Sequence, residues 1–318
     1  MTGPTEKALP PVSFIIPAFN CAGTLAESVA SIFEGNLGPN DEIIIVDDGS
    51  TDGTRSELTS LAHLHPEIRL LAHRFNKGGG ATRNTAVEAA RHSLIFCLDS
   101  DNILAPHSVP ALRQFLTETG ADVASFQHLK YFKTRPEEVT HMWRFKPNEI
   151  TLADYLANSI VPGASGNYLY TVESWRKARE YPVDGNVLDT WGFGFRQVAT
   201  GAKMQVLPDS HYFHRYGHDS YWVRGAREKR FSLYALQIIL PYLALLDPND
   251  ADYLMSPEGR NSWYDRMGKR PLHVLGRMPG QGGIQTDALG RVETKVKRSW
   301  RQKISREAGR IFRKVSRQ

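Results

Sequence analysis

The chain has 318 residues, 41% of them apolar and 23% charged, with a formal net charge of +5. That balance excludes collagen-like and disordered chains and suits one large domain, or one domain with an appendage, around a buried core. Two cysteines, Cys21 and Cys97, exclude a disulfide framework or a cysteine-based zinc site and fit a reducing compartment.

Residues 1–11 are polar and lack the apolar core of a secretory leader, so none is expected. Three apolar runs follow, at 12–17, 42–46 and 93–98, rich in the Ile, Val, Leu and Phe of buried parallel strands. Helix-like stretches lie between them at 22–33, 53–64 and 81–90. Strand and helix alternating about every 30 residues predict a right-handed parallel α/β sheet. The spacing then predicts a helix at 106–119, a strand at 122–128, a loop-rich middle, a helix at 189–200 and a strand at 203–207. The apolar run 233–246, broken by Pro241, is shorter than the ~18 residues of a membrane span and reads as a buried or interfacial helix. Five glycines in 276–290 form a connector, and 291–318 holds eleven Lys or Arg against two Glu, a local net of +9 that leaves −4 for the rest.

In a parallel α/β sheet, ligands bind beyond the carboxyl ends of the strands, and that is where the polar clusters fall. Asp99-Ser100-Asp101 places two carboxylates two residues apart after a strand, on one side of the chain. Mg²⁺ or Mn²⁺ relieves their repulsion and leaves coordination positions for phosphate oxygens, although acidic turns after strands are also common without a ligand. Asp47-Asp48-Gly49-Ser50 follows the second strand; a capped turn explains Ser50 to Gly53 but not two acids where desolvation costs most. A carboxylate there can accept from a base N–H or a ribose hydroxyl. The loop Asn76-Lys77-Gly78-Gly79-Gly80 opens a helix, a place suited to anions, and matches neither a Walker loop nor a dinucleotide fingerprint.

Together Ile16-Pro17-Ala18-Phe19-Asn20, residues 46–54, the 76–84 loop and 98–102 resemble, in order and spacing, the family-2 glycosyltransferases of GT-A fold. The resemblance covers roughly 12–105. It implies an α/β GT-A fold, a mixed, mostly parallel sheet with flanking helices, over 1–230. A helical extension at 231–275 and the connector with a basic helix at 276–318 would follow. It implies sugar transfer from a nucleotide-sugar donor, with UDP-sugars the commonest, to a glycan, lipid-linked or other hydroxyl acceptor. Pro17, Phe19 and Asp48 would line the nucleoside pocket with Asp47 beside them; Asp99 would lie near the ribose, with Ser100 also on the donor side. Asp101 would hold the Mn²⁺ or Mg²⁺ that bridges the diphosphate. Arg83 and Asn84 would face the donor, with helix packing the competing role for each.

In the second half, the resemblance points to Asp189, heading the predicted helix, as the base of an inverting displacement. Only one acid stands in Leu188-Asp189-Thr190-Trp191, and its spacing to Arg196 is one residue longer than usual; Asp184 competes, and an N-cap is the structural alternative. His214 matches a histidine that completes the metal shell, with His211 and His218 as lesser candidates. Trp191 and Trp222 read as core before they read as sugar-stacking residues.

In the tail, Val296, Trp300, Ile304, Ala308, Ile311, Phe312 and Val315 recur at helical steps among Lys and Arg. This is the pattern of a basic amphipathic helix, which could lie on an anionic membrane surface, bind nucleic acid or dock on a partner. The resemblance favours the membrane, since many family-2 enzymes act on lipid-linked or envelope acceptors, and hence implies a cytoplasmic chain peripheral to the inner face of the membrane. Two alternatives stay open: a retaining transferase, and a membrane-associated scaffold that keeps the fold without catalysis. A nucleotidyltransferase would need a basic loop after the first strand, and 18–23 contains no Lys or Arg.

Overall fold

The structure, a computed structural model, describes residues 9–157, 159–184, 186–217, 230–264 and 270–275. They fall into two compact units, one carrying the sheet and ending before Arg230, the other holding Leu156, Ala157 and the helices from Arg230 onward.

The first unit begins with alternating strand and helix: β1 (Val12–Ala18), α1 (Leu25–Phe33), β2 (Glu42–Asp47), α2 (Thr54–Leu64), β3 (Ile68–Ala72), α3 (Gly79–Ala89) and β4 (Leu94–Cys97). It continues through β5 (Ile103–Leu104), α4 (Ser108–Thr119), β6 (Val123–Phe132), β7 (His141–Arg144), β8 (Asn148–Ile150), α5 (Leu152–Leu156), β9 (Leu169–Thr171), α6 (Val172–Lys177), α7 (Asp189–Ala199) and β10 (Met204–Arg215). One mixed sheet runs β3-β2-β1-β4-β9-β6-β10-β5, with β7 added to β6 and β8 to β10. The ladders of β1 with β2 and β4, β2 with β3, and β6 with β10 are parallel; the others are antiparallel.

Every side chain of β2 and β4 is buried, and the isoleucines of β1 and β2 have no exposed surface. Each such side chain contributes roughly 1.5–3 kcal/mol of transfer free energy, and a strand covered on both faces must read as an unbroken apolar run. α3 packs across β1 and β2 and thereby brings the glycine-rich loop over their carboxyl ends.

β10 carries a bulge: its register against β6 slips between Leu207 and His211. The extra residues are fastened by Gln127, whose backbone N–H donates to Ser210 Oγ (3.0 Å) and whose Oε1 accepts from the Asp209 backbone N–H (2.9 Å). Asp209 there has φ of 55°, the left-handed conformation that Asp tolerates better than most residues.

The second unit contains α8 (Phe231–Ile239), a 3₁₀ segment at Leu240–Leu245, α9 (Pro248–Met255) and α10 (Pro257–Ser262). The apolar run 233–246 thus forms a helix that tightens to 3₁₀ at Pro241, whose missing N–H an α-helix interior would require. Asp247 and Ser256 cap α9 and α10 through their side chains. No helix among the described residues is long and apolar enough to cross a membrane. The basic segment 291–318, His218 and Trp222 lie outside the described residues.

Candidate active site

The carboxyl ends of β1, β2 and β4 meet α3, α7 and the loop before β9. Pro17 lies in register with Val46 on β1, and Phe19 is half-buried just beyond. The two strand ends are tied together: the Asn20 backbone N–H donates to Ser50 Oγ (3.0 Å), and Asn20 Oδ1 accepts from the Thr51 backbone N–H (2.8 Å).

Asp47 ends β2, with one oxygen accepting from the Ser50 N–H (2.9 Å) and the other from Arg55. Burial works to raise its carboxyl, but these bonds outweigh burial and hold it below the usual range. Gly49 makes the following turn with φ of 73°; a Cβ there would lie 2.8 Å from the Phe75 backbone.

Asp48 is buried, and its carboxylate binds the glycine-rich loop. Oδ1 accepts from the Lys77 backbone N–H (2.9 Å) and Oδ2 from the Gly78 N–H (2.8 Å). His73 Nδ1 lies 2.6 Å from Oδ1 and Nε2 lies 3.1 Å from Thr85 Oγ1. An ionised carboxylate only accepts, so Nδ1 carries the proton. Two of the backbone donors that suit the loop to an anion are therefore already taken by Asp48.

The centre of the site is a buried guanidinium between two carboxylates. Arg83 Nη1 donates to Asp189 Oδ2 and Nη2 to Asp99 Oδ1, each at 2.7 Å, and the guanidinium carbon lies 5.7 Å from the Tyr181 ring centroid. Asp99 is held again by Asn167, which accepts from the Asp99 N–H (2.8 Å) and donates through Nδ2 to Asp99 Oδ2 (2.9 Å). Asp189 is the first residue of α7, after the N-cap Leu188, and its Oδ1 accepts from the Thr190 N–H (2.8 Å). Burial pushes its carboxyl up and Arg83 opposes that; the net shift is upward. Asp184 is exposed. Burial pushes the neighbouring Cys97 thiol up to about 12, so no thiolate is available at neutral pH.

Two glycines let α3 come this close. A Cβ at Gly79 would lie 2.7 Å from both Arg83 Nη1 and Asp189 Oδ2, and one at Gly80 would lie 2.5 Å from the Pro182 carbonyl oxygen. Asn84, one residue on from Arg83, spends its amide on packing: Nδ2 donates to the Tyr181 carbonyl (3.0 Å), while Oδ1 accepts from Trp175 Nε1 (3.1 Å) and the Tyr181 N–H (2.9 Å). Trp191 is buried and stacks on Phe195, a core role.

Beyond Asp99, the Ser100 carbonyl accepts from Thr24 Oγ1 (3.1 Å) and the Asp101 carbonyl from Arg215 Nε (3.1 Å). β10 runs antiparallel to β5 with Tyr212 opposite Leu104 and Phe213 opposite Ile103, which brings the end of the strand alongside the turn after β4: the Arg215 backbone N–H donates to Asn102 Oδ1 (3.0 Å), and His214, one residue before it, is half-buried. His211 is half-buried farther back along β10, beside the bulge, and burial lowers its imidazole. Asn167 and His73 carry no signal in sequence, since one lies in a glycine loop and the other after an unremarkable strand.

Residues 13–177 match the family described as Glycosyl transferase family 2, and the chain belongs to that family. It is 40% identical over 105 residues to a chondroitin synthase of Escherichia coli, a stretch covering 33% of this chain and 15% of that one. It is 30% identical over 154 residues to the putative teichuronic acid biosynthesis glycosyltransferase TuaG of Bacillus subtilis, covering 48% of this chain and 59% of the relative. The chain thus spans less than two thirds of the length of these curated relatives. In fold it is similar to Staphylococcus aureus TarS 1-349, solved in complex with UDP-GlcNAc, with a TM-score of 0.63, 18% identity, and coverage of 80% of this chain and 72% of that one. The expected GT-A architecture is the one observed.

Proposed function

We propose that the chain transfers a sugar from a nucleotide-sugar donor, a UDP-sugar foremost, to a hydroxyl of a glycan or lipid-linked acceptor in polysaccharide or glycolipid synthesis. The observation that carries this is the Arg83 bridge, which sets a carboxylate from the end of β4 and a carboxylate heading α7 on one cation. The UDP-GlcNAc bound to TarS and the polysaccharide names of the sequence relatives support it.

In this reading the half-buried Phe19 and Pro17 flank the base and Asp48 accepts from it, while Asp99 accepts from the ribose. Asp189 accepts the proton of the acceptor hydroxyl as that oxygen attacks the anomeric carbon from the face opposite the diphosphate, a single displacement that inverts the centre. A carboxyl raised towards neutral pH is the stronger base, and Arg83 fixes its direction.

Among the described residues no three metal-ligating side chains cluster. A site of few protein ligands still fits Mg²⁺ or Mn²⁺, which retain water and take phosphate oxygens, and Asp101 and His214 are the residues that would hold the ion. Bound there, it would neutralise charge on the leaving diphosphate. The basic amphipathic segment 291–318 supports attachment to an anionic membrane surface.

The test is thermal melting with UDP, GDP, CDP and dTDP and their sugars, with and without Mn²⁺, for wild type and Asp101→Ala. A metal-dependent rise with UDP ligands that the variant loses is expected. No response to any nucleotide at millimolar concentration overturns the donor site, and retained anomeric configuration in the product overturns the inverting step.

A further inference from the structure

One face of the β6–β7–β10 corner is paved with rings that the donor site does not use. Tyr131 lies opposite His141 on β7 and opposite His214 on β10. Its ring stacks on His141 at 4.2 Å and 13°, and it lies 5.3 Å from Trp143, 4.8 Å from His214 and 6.1 Å from Tyr216. Tyr131 itself is buried, but His141 is exposed, Tyr216 is half-exposed and Trp143 is 37% exposed. A core cluster would hide all of them; here one buried ring carries three that reach solvent.

Strand alternation decides which face this is. Residues two apart on a strand share a face, so Tyr212 and His214 project with Tyr131, whereas Phe213 and Arg215 project oppositely with Lys130 and Phe132. The contacts agree: Lys130 lies over the Phe213 ring and Arg215 over Phe132. Tyr212 is buried beside Asn167, the residue that clamps Asp99, and its ring lies 6.3 Å from His214. The exposed rings of His141 and Trp143 therefore lie on the sheet face that carries Tyr212 and His214, with β6 between β7 and β10, and Tyr216 follows the end of β10.

We propose that His141, Trp143 and Tyr216, backed by Tyr131, form a stacking platform for a pyranose ring of the acceptor glycan. The proposal rests on the donor reading of the adjacent centre. The chemistry fits a sugar better than an apolar chain: a pyranose offers a C–H face to a ring and hydroxyls at its rim, and here the ring edges are polar. His141 Nδ1 is 3.0 Å from Thr140 Oγ1, and Lys133 Nζ sits 5.5 Å from the Tyr216 centroid. A wholly apolar occupant would desolvate the Lys133 ammonium and offer it no acceptor, whereas sugar hydroxyls can accept from it. Position fits as well, because the attacking hydroxyl must come from a sugar held beside the diphosphate end of the donor.

The experiment is saturation-transfer NMR on the full chain with methyl β-glucoside, methyl N-acetyl-β-glucosaminide, methyl β-galactoside, cellobiose and diacetylchitobiose. Wild type is compared with Trp143→Ala, Trp143→Phe and His141→Ala, with the UDP melting shift measured on each. Transfer to the C–H protons of one sugar face is expected in wild type. Trp143→Ala and His141→Ala should weaken binding about tenfold and Trp143→Phe should restore it, with the UDP response unchanged throughout. His141→Ala, at an exposed position, keeps the result independent of whether Trp143→Ala folds. Equal binding in wild type and both alanine variants overturns the platform, as does a wild type that responds to UDP and to no saccharide. A change in sedimentation on Trp143→Ala without saccharide binding marks a self-association face and also overturns it. Trp143-dependent saccharide binding with no UDP response upholds the platform and removes the donor reading.

Discussion

Replacing Arg83 by methionine, which keeps the aliphatic stem and removes the charge, tests whether the site is held by one cation. The guanidinium is 9% exposed, Asp189 6% and Asp99 24% at the side chain, so solvent screens little of the interaction. Without Arg83 two nearby carboxylates lose their shared counter-charge, and breaking a buried pair from one side costs about 3–5 kcal/mol. For a unit of this size that corresponds to a fall in melting temperature of roughly 6–20 °C. The pH dependence follows by linkage. In the variant Asp189, whose carboxyl burial already raises, loses the opposing Arg83 charge and rises further above its unfolded value, so below neutral pH the native state binds more protons than the unfolded state. The deficit should therefore be largest near pH 8 and shrink as pH falls through the raised native values. Urea titrations at pH 5.5 and 8 on wild type, Arg83→Met and Arg83→Met with Asp189→Asn measure this. The double variant, which removes one uncompensated charge, should recover part of the loss at pH 8. A deficit under about 1 kcal/mol, or one equal at both pH values and not relieved by Asp189→Asn, refutes the single-cation account.

Other consequences can be measured directly. With Asp189 as the base, UDP release from a UDP-sugar in the presence of acceptor should fall as pH falls through its burial-raised pKa, with an acid limb above the ordinary carboxylate range. Asp189→Asn should lower kcat by about 10²–10⁴ and abolish that limb. Gly79→Ala should cost about 1–3 kcal/mol and most of the activity, because its Cβ enters the Arg83–Asp189 pair; Gly53→Ala, with its nearest neighbour 3.6 Å away, should be neutral in thermal melts. Gly194→Ala should destabilise by about 1–3 kcal/mol, since its Cβ would lie 2.1 Å from Tyr155 Oη and 3.0 Å from the Gly163 Cα. Adding Tyr155→Phe should recover part of that loss in a double-mutant cycle.

How well the fold could be read from sequence tracks how deeply each element is buried. β1, β2 and β4 read as continuous apolar runs because sheet neighbours and helices cover them, and their bounds in the structure lie within a residue or two of those expected. β3 (Ile68–Ala72) went unread because only Ile68 of its five residues is buried and Arg69 interrupts the run. The hairpin strand β7 is exposed at all four positions, and β8 and β9 are three residues each, too short to show a period. β10 was expected to end at 207, but the bulge at Pro208–Ser210 carries it on to Arg215. For the site, Asp48, Asp99 and Asp189 stand out locally as acids at strand or helix ends. What joins them does not, because Arg83 meets Asp189 across 106 positions and Asn167 meets Asp99 across 68. Asn84 is legible only as an open choice: beside Arg83 in a glycine-rich motif it reads equally as a donor contact or as helix packing, and in the structure both ends of its amide bond Tyr181 and Trp175.

The bulge in β10 also makes the outer half of the strand vulnerable to a frameshift written in space instead of in codons. If one residue were lost between Leu207 and His211 and the strand ran on without a bulge, Met204–Leu207 would stay in place and every side chain beyond would turn over to the opposite face. His214 would exchange sides with Phe213 and Arg215, and Tyr212 would leave Asn167 for the far side of the sheet. Natural length variation among descendants of this chain should therefore avoid 208–210 and collect in the exposed connection 133–140.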